Sequence, residues 1–178
     1  MTARGVKYIE VNLSGLQMSD EELPKNLKSI MDSYNVRPDF INLEVTETAA
    51  VESSDNMMMN IEKLKDMGCS FSMDDYGTGY SNLSKMAEQK YDLIKLDKSL
   101  IWPCFDSKGD IEKALVILTN TIAMVSKLGV GIVAEGVETE EQAGFLIDQG
   151  VDHLQGYLYS RPVDKIRYIE FINQQKNI

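Results

Sequence analysis

Two carboxylates, Asp74 and Asp75, stand side by side where an alternating stretch runs into a turn: CSFSMDDYGTGYSN, residues 69–82. Phe71 and Met73 fall on one face of that alternation and Ser70, Ser72 and Asp74 on the other, the period of a strand. Asp74 therefore ends the polar face and Asp75 begins the loop. Gly77 and Gly79 allow that loop conformations and close approaches that a side chain would block. Adjacent acids in such a place suit a hard cation, which prefers oxygen ligands. The same residues also make an ordinary turn, opened by Asp75 and capped by Asp74. The pair alone does not decide between the two.

The elements that would position these acids follow from the same kind of pattern. Lys7–Ser14 alternates and reads as a first strand, and Ser19 with Glu22 forms an S-x-x-E capping box ahead of a helical stripe of Leu23, Leu27, Ile30, Met31 and Tyr34. Phe40–Glu47 is a second strand. Met57, Ile61, Leu64 and Met67 mark one helix face, with Gly68 as its C-cap, and the methionines read as core filler. After the third strand a short helix is expected over residues 80–86, then a strand at Asp92–Asp97 and a loop at Pro103–Gly109. Ile111–Leu128 is the longest helix, Val130–Glu135 the fifth strand, and Thr139 with Gln142 a second capping box. Asp152–Tyr157 is a brief sixth strand and Val163–Gln174 a final amphipathic helix.

Strands and helices alternating with short connections imply βαβ units and a parallel sheet. A (β/α) barrel is favoured over a doubly wound sheet because each strand's polar face ends in a residue suited to one shared site, and in a barrel such residues converge at the C-terminal rim. They are Asn12, Glu44, Asp74, Lys95, Glu135 and Gln155. Six in register are hard to ascribe to turn chemistry. Oxygen donors without His or Cys suit Mg²⁺ or Mn²⁺ rather than zinc. A metal pair could hold a phosphodiester and make water nucleophilic near neutral pH. Lys95, a charge inside a strand, needs partners.

Composition narrows the class. The 178 residues carry a formal charge of -10, which disfavours a nucleic-acid polymer as ligand and would make metal ions necessary to attract a phosphorylated small molecule. One domain spanning residues 1–178 is expected. Cys69 and Cys104 lack metal-site spacing and should be thiols. No stretch approaches a membrane span and the N-terminus lacks a signal-peptide core, so a cytoplasmic location is expected.

Taken together, VNLS at Asn12, LEVTE at Glu44 to Glu47, DDYGTGYSNL from Asp74, LIKLDKSLI around Lys95, VAEGVET around Glu135 and LQGYLYSRP around Gln155 resemble the EAL-domain family of cyclic di-GMP phosphodiesterases. The resemblance covers essentially the whole chain. It implies a TIM-like barrel that hydrolyses cyclic di-GMP to linear pGpG with two Mg²⁺ or Mn²⁺ ions, often as a homodimer and beside a sensory or diguanylate cyclase domain. Asn12, Glu44 and Asp74 then look like metal ligands and Asp75 like the ligand of the second metal. Lys95 would hold the attacking water or a phosphate oxygen, and Glu135 would be the general base with metal contact. Gln155 would position water or substrate, and Glu47 would fix the loop after Asp75. Glu138 is expected at the surface or behind the ligands.

The family's Glu-x-Leu motif, upstream of the VNLS strand, has no counterpart before Lys7. The expectation is therefore a barrel incomplete at the N-terminus, with a weaker first metal site and uncovered sheet edges. Such a chain would be a fragment of a longer phosphodiesterase, or a catalytically inactive EAL-type domain serving as a cyclic di-GMP receptor or protein-interaction module.

Overall fold

Period-two alternation gives each strand one face for helices and one for polar groups, and six such strands join into one parallel sheet in the order β1-β2-β3-β4-β5-β6. The computed structural model describes residues 6–51, 55–78, 91–107 and 109–175. The strands are β1 (Ile9–Asn12), β2 (Ile41–Thr46), β3 (Ser70–Tyr76), β4 (Leu93–Leu96), β5 (Gly131–Ala134) and β6 (His153–Leu154). Among the described residues β1 and β6 each pair on one side only, so the sheet is an incomplete (β/α) barrel, as expected.

The helices are α1 (Gly15–Met18), α2 (Leu23–Ser33), α3 (Glu47–Val51), α4 (Asp55–Asp66), α5 (Lys98–Ile101), α6 (Ile111–Lys127), α7 (Glu140–Asp148) and α8 (Lys165–Gln175). None is long and apolar enough to cross a membrane. Leu43, Phe71, Ile94, Leu96 and Ile132 are wholly buried in one core with Met57 and Leu64 of α4, Leu118 and Val125 of α6 and Leu146 of α7. Each such side chain contributes about 1.5–3 kcal/mol. That core holds the strand ends in register: Asn12 lies level with Glu44, and Glu44 with Ser72.

Several boundaries differ from the sequence expectation. The capping box at the first helices is Ser14 with Gln17, not Ser19 with Glu22. Ser19 instead closes α1, its hydroxyl donating to the Gly15 carbonyl at 3.0 Å. Buried Asn60 fixes this arrangement by donating to the carbonyls of Met18 and Asp20 at 2.8 and 2.7 Å, and Pro24 opens α2 where a missing N–H costs little. The Thr139–Gln142 box and Gly68, at φ +103°, are as expected. Strand β3 continues through Asp75 to Tyr76, and the loop expected at Pro103–Gly109 begins inside a 3-10 turn, Trp102–Cys104. The expected helix over residues 80–86 lies outside the described residues. Both cysteines are buried free thiols.

After β6 the chain presses against the loop that follows β5. Val137 N–H donates to the Gln155 carbonyl at 3.1 Å and Leu158 N–H to the Val137 carbonyl at 3.0 Å, and a Cβ added at Gly156 would fall on that same carbonyl oxygen. Gly156→Ala should therefore lower stability by about 1–3 kcal/mol. Urea unfolding would show it as a lower midpoint at unchanged slope.

Candidate active site

Lys95 lies on the sheet face turned away from the helices and is only 3% exposed. An unpaired ammonium there would cost several kcal/mol. Carboxylates from four strands or strand ends prevent that. Glu44 of β2 makes a direct ion-paired hydrogen bond to its Nζ, Glu135 just past β5 lies at 2.7 Å, Asp74 of β3 at 3.4 Å and Glu10 of β1 at 3.9 Å.

The cluster holds more carboxylates than cations, and its proton affinities reflect that. Burial pushes the Glu44 and Glu135 carboxyls above the ordinary range; Lys95 opposes this, and neighbouring acids reinforce it. Burial also works against the Lys95 charge, yet hydrogen bonds and attraction from Glu135 and Glu44 carry its proton affinity above that of a free lysine. Asp75 is raised by burial and then by Asp74 and Asp97.

A regular strand would point Asp74 and Asp75 to opposite faces. The β3–β4 register breaks between Met73 and Tyr76, and Asp75 takes a left-handed φ of +57°, a conformation Asp tolerates better than most residues. This irregularity brings Asp74, Asp75 and Glu135 together: each offers an oxygen within 4.8 Å of the others. Asp74 Oδ1, the oxygen that faces Lys95 Nζ at 3.4 Å, is buried and accepts no hydrogen bond among the described residues. An oxygen-only set with a buried carboxylate oxygen that lacks a hydrogen bond fits a hard divalent cation.

Glu47 begins α3 and is buried; its Oε2 accepts from the Gly77 N–H at 3.1 Å, tying down the turn that follows Asp75. Glu47→Ala would strand that N–H and should cost about 1.5–3 kcal/mol, measurable by thermal unfolding. Asn12 ends β1 and Gln155 follows β6, both exposed, with the Gln155 N–H donating to the Ala134 carbonyl at 2.9 Å. Glu138 is exposed.

Sequence reasoning missed three participants. Glu10 shares the polar face of Asn12 two residues earlier, and that spacing was the available signal. Asn42 and Ser72, two residues before Glu44 and Asp74, form a buried pair in which the Ser72 hydroxyl donates to Asn42 Oδ1 at 2.8 Å. They floor the cluster.

A family model for the EAL domain matches residues 2–162. The cyclic di-GMP phosphodiesterase RocR of Pseudomonas aeruginosa is 29% identical over 160 residues, covering 90% of this chain and 40% of RocR. The bifunctional diguanylate cyclase/cyclic di-GMP phosphodiesterase MucR of the same species is 36% identical over 155 residues, 87% of this chain and 22% of MucR. The solved PaMucR phosphodiesterase in complex with c-di-GMP has a TM-score of 0.82 at 34% identity, over 90% of this chain and 64% of that one. The manganese/cy-diGMP complex of Klebsiella pneumoniae BlrP1 gives 0.77 at 30% identity, over 89% and 40%. The chain thus spans well under half the length of both curated relatives.

Proposed function

The chain belongs to the EAL domain family, and from that premise we propose that it carries a metal-dependent site for hydrolysing cyclic di-GMP to linear pGpG. The observation that carries the reading is the convergence of Asp74, Asp75 and Glu135 beside Lys95. Asn12, Glu44, Asp74, Asp75 and Glu135 would hold Mg²⁺ or Mn²⁺. When bound, the ions supply positive charge against the phosphodiester and ease loss of a proton from water.

The remaining chemistry belongs to the chain. A water oxygen bonds to phosphorus as the bond from phosphorus to the 3′ oxygen breaks, leaving a 5′ phosphate and a 3′ oxygen that takes a proton from solvent to become the 3′ hydroxyl. Glu135 takes the water's proton, and the burial that raises its proton affinity makes it a stronger base than an exposed glutamate. Lys95 donates to the attacking water or a phosphate oxygen, Gln155 positions water or substrate, and Glu47 steadies the Gly77 turn. Residues 1–178 form one EAL-type unit, cytoplasmic and dimeric, working within a protein that also carries a sensory or diguanylate cyclase domain, a reading supported by the bifunctional relative MucR.

A second reading, a receptor or interaction module without turnover, draws support from β1, which pairs with β2 alone among the described residues and leaves the site open on that side. Calorimetric titration of cyclic di-GMP with Mn²⁺ present tests what both readings share. Binding should occur and vanish in an Asp74→Asn, Asp75→Asn variant; equal binding in both proteins would place the ligand elsewhere.

A further inference from the structure

The strand that carries Lys95 runs directly into α5, and α5 touches the two glycine turns that follow the other site carboxylates. Leu100 fills the space beside Gly77, which sits at φ +102° just after Asp75; an added Cβ there would collide with the Leu100 side chain. On the other side, a Cβ at Gly136 would lie 2.7 Å from Lys98 Cβ, and the turn at Gly136, φ +66°, immediately follows Glu135. Trp102, the residue after α5, donates its indole N–H to the Gly136 carbonyl at 2.8 Å, and Lys98 Nζ stands 5.0 Å from its ring centre.

Glu135 needs such support because its peptide lies outside β5. Its own N–H donates to the Leu96 carbonyl at 3.0 Å and Val137 N–H to the Gln155 carbonyl at 3.1 Å. Between those two anchors the Gly136 carbonyl accepts from the Trp102 indole N–H, its one hydrogen bond among the described residues. A turn in a left-handed glycine conformation has alternatives of similar energy, and a contact made in only one of them selects it.

We infer that Trp102 is a positioning residue: by holding the Gly136 carbonyl it fixes the turn that aims Glu135 at Lys95 and at Asp74 and Asp75. The inference rests on the reading of Glu135 as a metal-site carboxylate. Trp102 touches none of the reacting groups in this account and acts through the turn alone.

The test compares the wild-type chain with Trp102→Phe, which keeps a ring for Lys98 and loses the N–H. Amide hydrogen exchange at Glu135 and Val137 should quicken roughly three- to tenfold, the span of one net hydrogen bond, with amides of α2 and α6 unchanged. Mn²⁺ affinity by calorimetry should fall by a similar factor. Exchange unchanged in the turn, or quickened equally everywhere, would overturn the inference, as would an unaltered Mn²⁺ affinity. If the wild type takes up no Mn²⁺, the metal-site reading fails, and with it the aiming of Glu135, while local quickening would still assign the turn to Trp102. Trp102 is the only tryptophan, so wild-type fluorescence gives a measurement that needs no variant. Its emission should follow the Mn²⁺ binding curve, and constant emission through saturation would contradict the coupling.

Discussion

Replacing Lys95 with methionine should destabilise the fold by about 3–5 kcal/mol, because Glu44, Glu135, Asp74 and Glu10 would be left facing one another with no cation among them. The loss should depend on pH in a definite sense. Burial already raises Glu44 and Glu135, so their contribution is fully present below the ordinary glutamate value of about 4.3 and is lost as pH rises through the folded value. Lys95 is raised as well, so in the wild type its contribution is complete below the free-lysine value of about 10.4 and persists at pH 8. Removing it takes away the one influence that lowers the two glutamates, widening their window upward. The deficit of the variant should therefore be larger at pH 8 than at pH 5. Urea unfolding of both proteins at the two pH values measures it, and a deficit below about 1 kcal/mol at both would mean that the carboxylates do not depend on the lysine.

Mn²⁺ should stabilise the wild-type chain markedly. At a hundredfold excess over the dissociation constant, mass action adds about 2.7 kcal/mol. For a chain of 178 residues that corresponds to a rise in Tm of roughly 5–10 °C. The Asp74→Asn, Asp75→Asn variant should show no such rise, since Glu135 alone of the three clustered acids would remain. Mg²⁺ should act in the same direction. Differential scanning calorimetry with and without each ion decides the matter, and equal shifts in both proteins would move the ion away from the β3 terminus.

Much of this site was legible because period-two alternation assigns faces before any fold is known. Glu44, Asp74 and Lys95 end polar faces, and Glu135 follows the last buried residue of its strand, so their meeting required only a parallel sheet. The Asp75 bulge was not legible. A left-handed aspartate between two strand residues is selected by the pairing of β3 with β4, and alternation would have sent that side chain to the other face. The misplaced first capping box shows the same limit at a helix. Ser14–Gln17 and Ser19–Glu22 both match the motif, and the choice between them is made by Asn60, some forty residues away in the chain. The contact of Trp102 with Gly136 spans a similar distance and left no local signal. Local pattern placed the acids and the lysine, whereas long-range contacts set their aim.

The central claim is that Lys95, Glu135 and the β3 carboxylates form a phosphodiester-hydrolysing site. Turnover of cyclic di-GMP with Mn²⁺, followed by chromatographic separation of pGpG, tests it most directly when a Glu135→Gln variant is assayed alongside. The account predicts pGpG formation by the wild type and a loss of about 10²- to 10⁴-fold in the variant, the range for removing a general base. No pGpG from the wild type, or equal rates in the two proteins, would contradict it.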